Sequence, residues 1–404
     1  MVLISSKKIR TWVFTFHRIV GLGIGLVIAV VGLTGSLLVF SPELSNTQIK
    51  SQLPVIQPED ERLPLPVLYQ RAEAYAQANV PQFHEITELA ESEHRFFQAD
   101  EPIYFGYSDM ADQFHLLYLN PYTAEVIGNE TNTDDIDAFW ASLLAFHEGL
   151  FAGQWGLYFV GAVGLLTTLL CLSGTILWPG WRKLIAGFKI KWQGHIKRRN
   201  FDVHKVVGIL ASLFLAMATF TGFCWNYSSW TMPAIYALTF SQPGPTDQGV
   251  DVPVYSRPIP NVITVGLLGQ HLPKMVKMAE ATLPGSRFSN AYIGSEPTGI
   301  IDWVQCYDTY DCGVLEFDKY SGDLIRTWGL YTGRSRGDFI INTFPAIHYG
   351  FFGGLPTRIL YVCMGLSPSI LIMTGWIMWR HRRKMPDLST DAVSRPKLPD
   401  LRSH

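Results

Sequence analysis

The sequence has little charge and few cysteines for a chain of 404 residues. Charged residues make up 16% of the chain and the net charge is -2, whereas a typical soluble protein has roughly 25% charged residues. This balance lacks the basic surface of a nucleic-acid binder, and the hydrophobic fraction of 48% is too high for a disordered chain. The five cysteines are too few for a disulfide scaffold, and no C-x-x-C motif occurs. The composition is that of an integral membrane protein with substantial water-exposed parts.

Four apolar stretches are long enough to cross a bilayer. The first is too long for the apolar core of a signal peptide and is followed by no A-x-A-like cleavage site, so we interpret it as a retained span. The sequence therefore predicts an α-helical membrane protein with four transmembrane helices. The four stretches are Trp12–Phe40, Trp155–Trp178, Val203–Tyr227 and about Leu355–Trp379.

The placement of Lys and Arg predicts the orientation of these helices. Basic residues are concentrated in the N-terminal tail, in the connection 179–202 and after residue 379, which places these three segments and both termini in the cytoplasm. The long connections 41–146 and 231–347 then lie outside. The first of them is acidic, with 4 Lys/Arg against 18 Asp/Glu.

An internal duplication relates the two halves of the chain. His17-Arg-Ile-Val-Gly21 aligns without gaps on His204-Lys-Val-Val-Gly208, and the sequence around His147 aligns on that around His348. Each copy consists of a span, an outer domain and a second span. In chain order, the predicted segments are the tail with helix 1 (1–40), outer domain 1 (41–146), helix 2 (147–178), a basic loop (179–202), helix 3 (203–230), outer domain 2 (231–347), helix 4 (348–380) and a tail (381–404).

Each outer domain has the sequence pattern of a small α+β fold. A helical pattern is followed by alternating runs and by a hairpin turn with good turn chemistry. An amphipathic helix then leads back to the next span. The helical patterns are Leu65–Gln77 and His271–Leu283, the clearest strands are Arg287–Ile293 and Ile300–Cys306, the turns are 120–124 and 318–322, and the returning helices are Asp137–Phe146 and Asp338–Ile347.

Four of the 11 histidines lie at the ends of the predicted spans, one for each span. His17 and His204 are on the cytoplasmic side, and His147 and His348 are on the outer side. Two neutral imidazoles on facing helices can bind a flat iron cofactor from both sides, and ionisable groups within spans are costly unless they have a function. The pattern favours a haem iron at each face. The alternatives are histidines that hydrogen-bond to neighbours at the interface, or a non-haem metal, for which only two ligands per face are evident.

Every span also carries a Ser/Thr-Gly pair at the end far from its histidine. We expect Gly35 and Gly222 to lie near the outer histidines, and Gly174 and Gly375 to lie near the inner ones. The glycines either make room for a macrocycle or permit close helix packing. The four pairs are Thr34-Gly35, Ser173-Gly174, Thr221-Gly222 and Thr374-Gly375.

Several further residues have two interpretations each. Arg18 and Lys205 follow the inner histidines and either meet haem propionates or extend to the lipid headgroups. Cys306 and Cys312 form a disulfide in an oxidising compartment or are two free thiols. The remaining histidines of the outer domains have no repeat-matched partner and are interpreted as surface or core residues. They are His84, His94, His115 and His271.

Three motifs together resemble the PepSY-associated transmembrane family of bacterial inner-membrane proteins over essentially the whole chain. They are H-[RK]-x-V-G, an outer hairpin turn D/N-x-Y-[ST]-[GA]-[ED], and H-x-G-x-[FL]-x-G before a span. Within the family, the chain is similar to the iron-regulated, ferric-siderophore reductase-like branch. The resemblance implies a four-helix core with two b-type haems and two small periplasmic α+β PepSY-like domains. Carried over by position, the axial ligands are His17, His204, His147 and His348.

The function that this resemblance implies is a haem-dependent ferric-chelate reductase of the inner membrane. A cytochrome b-like core carries electrons to a periplasmic ferric siderophore or another metal chelate, which releases Fe(II). The chain has no Gly-rich phosphate loop after a strand, so the donor is expected to be a membrane quinol or a separate flavoprotein. Two alternative functions belong to other classes of membrane protein. One is a non-redox PepSY protein that binds or regulates a partner, and the other is a small transporter built on parallel repeats.

Overall fold

The computed structural model describes residues 6–91, 99–111, 113–129, 134–243, 267–294, 299–307, 312–328 and 335–383. His94 and the predicted tail from residue 384 onward lie outside these residues. The chain divides into two compact units. We call Met1–Ser36, Glu148–Asn226 and His348–His404 the helical unit, and Leu37–His147 and Tyr227–Ile347 the sheet unit.

The described residues form the following regular elements. The helices are α1 (Ser6–Leu38), α2 (Ser41–Gln52), α3 (Leu65–Asn79), α4 (Asp134–Gly149), α5 (Gly153–Leu177), α6 (Leu184–Phe188), α7 (Ile196–Asn226), α8 (Ser228–Leu238), α9 (Leu267–Thr282), α10 (Arg336–Asn342), α11 (Phe344–Tyr349) and α12 (Leu355–Arg383). The strands are β1 (Phe83–Ala90), β2 (Ile103–Asp109), β3 (Phe114–Leu119), β4 (Val126–Asn129), β5 (Arg287–Ile293), β6 (Ile300–Cys306), β7 (Cys312–Asp318) and β8 (Leu324–Trp328).

Among the described residues, four helices of the helical unit, α1, α5, α7 and α12, are long and apolar enough to span a membrane. The structure therefore has the four long apolar helices that the sequence predicts. The third begins at Ile196, earlier than the predicted Val203, because the basic residues before the apolar run are good helix formers. The second ends at Leu177, and a short 3-10 turn over Pro179–Trp181 follows it.

The duplication is visible in how these helices pack. A Cβ added to Gly32 of α1 would overlap the carbonyl oxygen of Gly365 of α12, and Ser36 Oγ donates a hydrogen bond of 3.1 Å to the carbonyl of Val362. At the repeat-matched contact, a Cβ on Gly164 of α5 would lie 2.8 Å from the carbonyl oxygen of Thr219 of α7. Small residues therefore bring the backbones of matched helix pairs into contact.

The sheet unit contains one antiparallel sheet of eight strands in the order β4-β3-β2-β1-β5-β6-β7-β8. The first four strands come from one copy of the repeat and the last four from the other. Strands β1 and β5 join the copies, with Glu88 opposite Tyr292 and Leu89 opposite Ala291. The two small α+β domains that the sequence predicts thus share one sheet. Their pairing covers two strand edges that separate domains would leave exposed.

Helices α3 and α9 supply the apolar side chains that cover one face of this sheet. Leu68 and Ala72 of α3 and Leu272 and Met275 of α9 are buried at helical spacing. The sheet contributes alternate residues of its strands, including the fully buried Trp303. Both predicted helices and both predicted strands are confirmed. Helix α2 was not predicted, and its Ile49 packs in a separate small cluster with Tyr118.

The two predicted hairpin turns have the same chemistry. Asn120 Oδ1 accepts a hydrogen bond of 2.9 Å from the backbone N–H of Tyr122, and Asp318 Oδ1 accepts one of 2.8 Å from that of Tyr320. Each turn closes on a residue with positive φ, Ala124 at 58° and Gly322 at 65°. The side-chain acceptor two residues before its donor is a usual Asx turn, so the predicted turns are confirmed.

The second returning helix differs from its prediction. The sequence pattern indicates one helix over Asp338–Ile347, but the structure has two short ones, α10 and α11, with Thr343 between them. Pro345 lacks the backbone N–H that a continuous helix would need at that point. A capping box between Ser335 and Asp338 fixes where α10 begins.

Cys306 and Cys312 form a disulfide between the end of β6 and the start of β7. The sequence alone did not decide whether these two cysteines form a disulfide or remain free thiols.

We expect the double variant Cys306→Ser, Cys312→Ser to lose about 2 kcal/mol of stability, because the bridge restricts a short loop in the unfolded chain. A melting curve followed by circular dichroism should shift down by a few degrees. Cys363→Ser, at an exposed free cysteine, is the matched control, and equal melting of all three proteins would contradict the expectation.

Candidate functional site

Two of the predicted ligand histidines lie side by side at one end of the helical unit. His17 of α1 and His204 of α7 have ring centroids 6.2 Å apart, and their ring planes meet at 84°. The two side chains come from helices that the duplication matches. The rings therefore approach each other from equivalent positions on two different helices.

The helical unit contains three of the four repeat-matched histidines, and each of the three has a hydroxyl within hydrogen-bond distance of its Nδ1. Three such hydrogen bonds are present, and each hydroxyl belongs to one of the Ser/Thr-Gly pairs. The bonds join His17 Nδ1 to Ser173 Oγ at 2.8 Å, His204 Nδ1 to Thr374 Oγ1 at 2.9 Å, and His348 Nδ1 to Thr221 Oγ1 at 2.9 Å.

The surroundings of these bonds favour one tautomer of the rings. Each hydroxyl has one proton, and each also lies within hydrogen-bond distance of a carbonyl oxygen in the preceding turn of its own helix. A hydroxyl that donates to that carbonyl accepts from the imidazole Nδ1–H. A neutral ring with its proton on Nδ1 keeps its lone pair on Nε2. The carbonyl acceptors belong to Leu170, Ile370 and Ala218, at 2.9, 2.8 and 2.9 Å.

The glycine of each pair lies directly against an imidazole. A Cβ added to Gly174 would lie 3.1 Å from Cε1 of His17, and one added to Gly222 would lie 3.1 Å from Cε1 of His348. At Gly375 the same construction gives 3.7 Å to Cε1 of His204. The predicted positions of these three glycines are confirmed, and Gly35 stays a prediction. The glycines make room for the histidine ring itself.

The donor set at His17 and His204 fits an iron held between two imidazoles. A metal–imidazole bond is about 2.0–2.1 Å and a ring nitrogen lies about 1.1 Å from its centroid, so two rings on opposite sides of one metal have centroids about 6 Å apart. The observed separation is 6.2 Å. Nδ1 bonded to a fixed acceptor, with Nε2 available, is the usual state of a ligand histidine. Among the described residues, no group of three or more His, Cys, Asp or Glu side chains is placed to hold a metal ion.

A second histidine pair shows that spacing alone does not make such a site. His195 and His381 have ring centroids 6.3 Å apart at 89°. However, His195 Nδ1 accepts a hydrogen bond of 3.3 Å from the backbone N–H of Lys197, so the neutral ring carries its proton on Nε2. His195 is also exposed, and no Ser/Thr-Gly pair holds its Nδ1.

His348 has aromatic neighbours that the sequence interpretation missed. The rings of Trp225 and Tyr349 lie 4.9 Å and 5.4 Å from that of His348. Trp225 follows Thr221 by one helical turn. This spacing could have indicated from the sequence that Trp225 lies near His348. The hydroxyl and the indole therefore position His348 from the same face of α7.

His147 lies in the last turn of α4 and belongs to the sheet unit. Its pairing with His348 rests on the sequence repeat, which aligns the two residues and aligns Thr34-Gly35 with Thr221-Gly222. This pairing stays a prediction.

Lys205 has a role that neither earlier interpretation gave it. Its ammonium is buried and donates to Asp202 Oδ1 at 2.6 Å and to the carbonyls of Ala186 and Lys189 at 2.9 and 3.0 Å. Lys205, which lies in α7, therefore links this helix by hydrogen bonds to the connection that contains α6. Arg18, at the matched position, lies with its guanidinium 5.8 Å from the ring centroid of Phe14.

The sequence matches the family described as the PepSY-associated TM region over residues 14–382. No curated protein matches the sequence.

Proposed function

We propose, on the premise that this chain belongs to the PepSY-associated TM family, that it is a di-haem oxidoreductase that carries electrons across the membrane to a ferric siderophore or similar chelate. The observation that carries the proposal is the proximity of the His17 and His204 rings, each with Nδ1 hydrogen-bonded to a hydroxyl. Among the described residues no third metal-binding side chain joins them, and two histidines are a donor set that would hold haem.

The residues of the helical unit have separate tasks in this proposal. His17 and His204 would hold one haem, and His348 would be a ligand of the other. Haem, when bound, supplies reversible one-electron chemistry. The hydroxyls of Ser173, Thr374 and Thr221 orient the imidazoles, and the adjacent glycines leave the space that the rings need.

We infer the direction of electron transfer across the membrane from the positions of the basic residues and of the disulfide. The basic connections of the helical unit favour a cytoplasmic location for the His17/His204 end, where a soluble flavoprotein or a quinol is the donor. The disulfide of the sheet unit favours an oxidising compartment for the segments that contain it. The acceptor is therefore expected on the periplasmic side of the inner membrane.

The acceptor that we propose is an oxygen-ligated Fe(III) chelate. One electron converts Fe(III) to Fe(II), which hard oxygen ligands bind less well, so the metal is released. The step breaks no covalent bond of the chelate and requires no acid–base residue from the protein. A cupric chelate is a second acceptor of the same kind.

Proteoliposomes test this function directly. The vesicles enclose a ferric hydroxamate and an Fe(II)-specific chromophoric chelator, and dithionite is added outside together with an ionophore. The proposal predicts colour inside the vesicles at a rate well above that of protein-free vesicles. A rate equal to that of protein-free vesicles, with haem-loaded protein, would refute the reductase assignment.

Loss of the hydroxyls should change the bound haem without displacing it. For Ser173→Ala and Thr374→Val we expect roughly 10- to 100-fold weaker haem affinity, the usual effect of removing a second-sphere partner of a ligand. The midpoint potential of that haem should rise, because an imidazole whose Nδ1–H loses its hydroxyl acceptor donates less electron density to ferric iron. Titration of the apoprotein with haem measures the affinity, and a spectroscopic redox titration measures the potential.

Thr168→Val is the matched control for the threonine variant. Thr168 Oγ1 bonds to Thr219 Oγ1 at 3.0 Å, and so this variant removes a hydroxyl from the same bundle without touching a histidine. Its titration curve should coincide with that of the wild-type protein. Equal curves for Ser173→Ala and wild type would contradict the assigned role of the hydroxyl.

A further inference from the structure

The first turns of α12 carry two buried polar side chains that the proposed ligand set does not use. Arg358 and Tyr361 are each 6% exposed, and they stand three residues apart, so both face the same side of the helix. Within the described residues, the hydroxyl of Tyr361 has no hydrogen-bond partner. A buried phenol normally has one.

Both side chains lie beside the segment that follows His348. The guanidinium of Arg358 is 5.1 Å from the ring centroid of Phe351. The ring of Tyr361 lies against Gly350, where an added Cβ would be 2.6 Å from Tyr361 Cγ. Gly350 has a φ of 75°, a conformation that favours glycine, so the turn after His348 brings the chain onto Tyr361.

The other copy of the repeat has no equivalent of these two polar residues. The repeat aligns His348 with His147, and the same alignment places Leu157 and Val160 opposite Arg358 and Tyr361. One copy therefore has an arginine and a tyrosine where the other has apolar residues. Packing between equivalent helices does not explain such a change, whereas a ligand bound at one end of the helical unit does.

We propose that Arg358 and Tyr361 bind a carboxylate, and that this carboxylate is a propionate of the haem at His348. This inference rests on the proposed function. A guanidinium has five N–H donors in one planar group, an arrangement that suits the two oxygens of a carboxylate. Charged hydrogen bonds from Arg and from a phenol are strong in a buried setting. A lipid phosphate is the other source of an anion with this chemistry.

Haem titration of the full-length apoprotein tests the proposal. Tyr361→Phe is made in a His204→Ala background, which leaves only the site at His348, and the protein is titrated with haem and with haem dimethyl ester. With haem, Tyr361→Phe should weaken binding about tenfold, the usual effect of losing one hydrogen bond to a charged group. With the dimethyl ester, which has no carboxylate, the two proteins should bind equally. Arg358→Gln should show the same pattern.

The controls are Tyr158→Phe, on the span α5, and Arg380→Gln, near the other end of α12, both of which should bind like the background protein. Equal haem affinity with and without Tyr361→Phe overturns the proposal. A difference that persists with the dimethyl ester also overturns it and favours a lipid phosphate or a packing role. If neither the background nor the wild-type protein binds haem, the proposed function itself fails.

Discussion

His17→Ala is expected to remove one of the two haems that we propose and to abolish reduction across the bilayer. The variant removes one of two imidazoles whose ring centroids lie 6.2 Å apart, a separation that fits one metal between them. A b-type haem has no covalent link to the protein, so the loss of one of its two histidine ligands should release it. Haem per chain, measured after reduction in alkaline pyridine, should fall by half.

His195→Ala is the control for this prediction. His195 also has a histidine ring close by, at 6.3 Å, but its Nδ1 is occupied as an acceptor. Its replacement should leave haem content and reduction unchanged. The assignment would be wrong if His17→Ala kept its full haem content, or if His195→Ala lost haem instead.

Gly222→Val is expected to remove the other haem. A Cβ at this position already lies 3.1 Å from Cε1 of His348, and the two methyl groups of valine need additional space. The imidazole must then move away from Thr221 Oγ1, which now holds it at 2.9 Å. Overpacking of this kind costs about 1–3 kcal/mol, less than the stability of most proteins, so we expect a folded chain with half the haem and no reduction of the chelate.

Gly23→Val separates the effect on the histidine from the effect of valine in a spanning helix. Among the described residues, apart from the chain neighbours and the nearby backbone of its own helix, no atom lies within 4 Å of a Cβ built on Gly23, so its variant should retain both haems. Gly375→Ala should also be tolerated, since its Cβ meets His204 at an ordinary 3.7 Å. Full haem content in folded Gly222→Val would show that His348 tolerates displacement and would count against its assignment as a ligand.

The sequence predicts much of this fold because its patterns are local or repeated. The four apolar runs predict the spanning helices, and the alternation at Arg287–Ile293 and Ile300–Cys306 predicts strands with those limits. The turns at 120–124 and 318–322 follow from Asx chemistry. The positions of Gly174, Gly222 and Gly375 near histidines follow from the rise of a helix along a span of known length.

Other features depend on contacts between distant segments. The single sheet arises from pairing of β1 with β5, which no local pattern encodes. The burial of Lys205 depends on the carbonyls of Ala186 and Lys189, which the fold of a short connection presents. The bonds from Ser/Thr hydroxyls to Nδ1 were also missed, since the sequence drew attention to the glycine of each pair and not to the residue before it.

The most direct test of the central claim is the optical spectrum of the purified wild-type protein, oxidised and then reduced, with haem quantified per chain. The account predicts two low-spin b-type haems, each with two imidazole ligands. One haem per chain would show that one histidine pair is wrongly assigned. No haem, after expression with ample haem supply, would contradict the account and favour a PepSY protein that binds or regulates a partner.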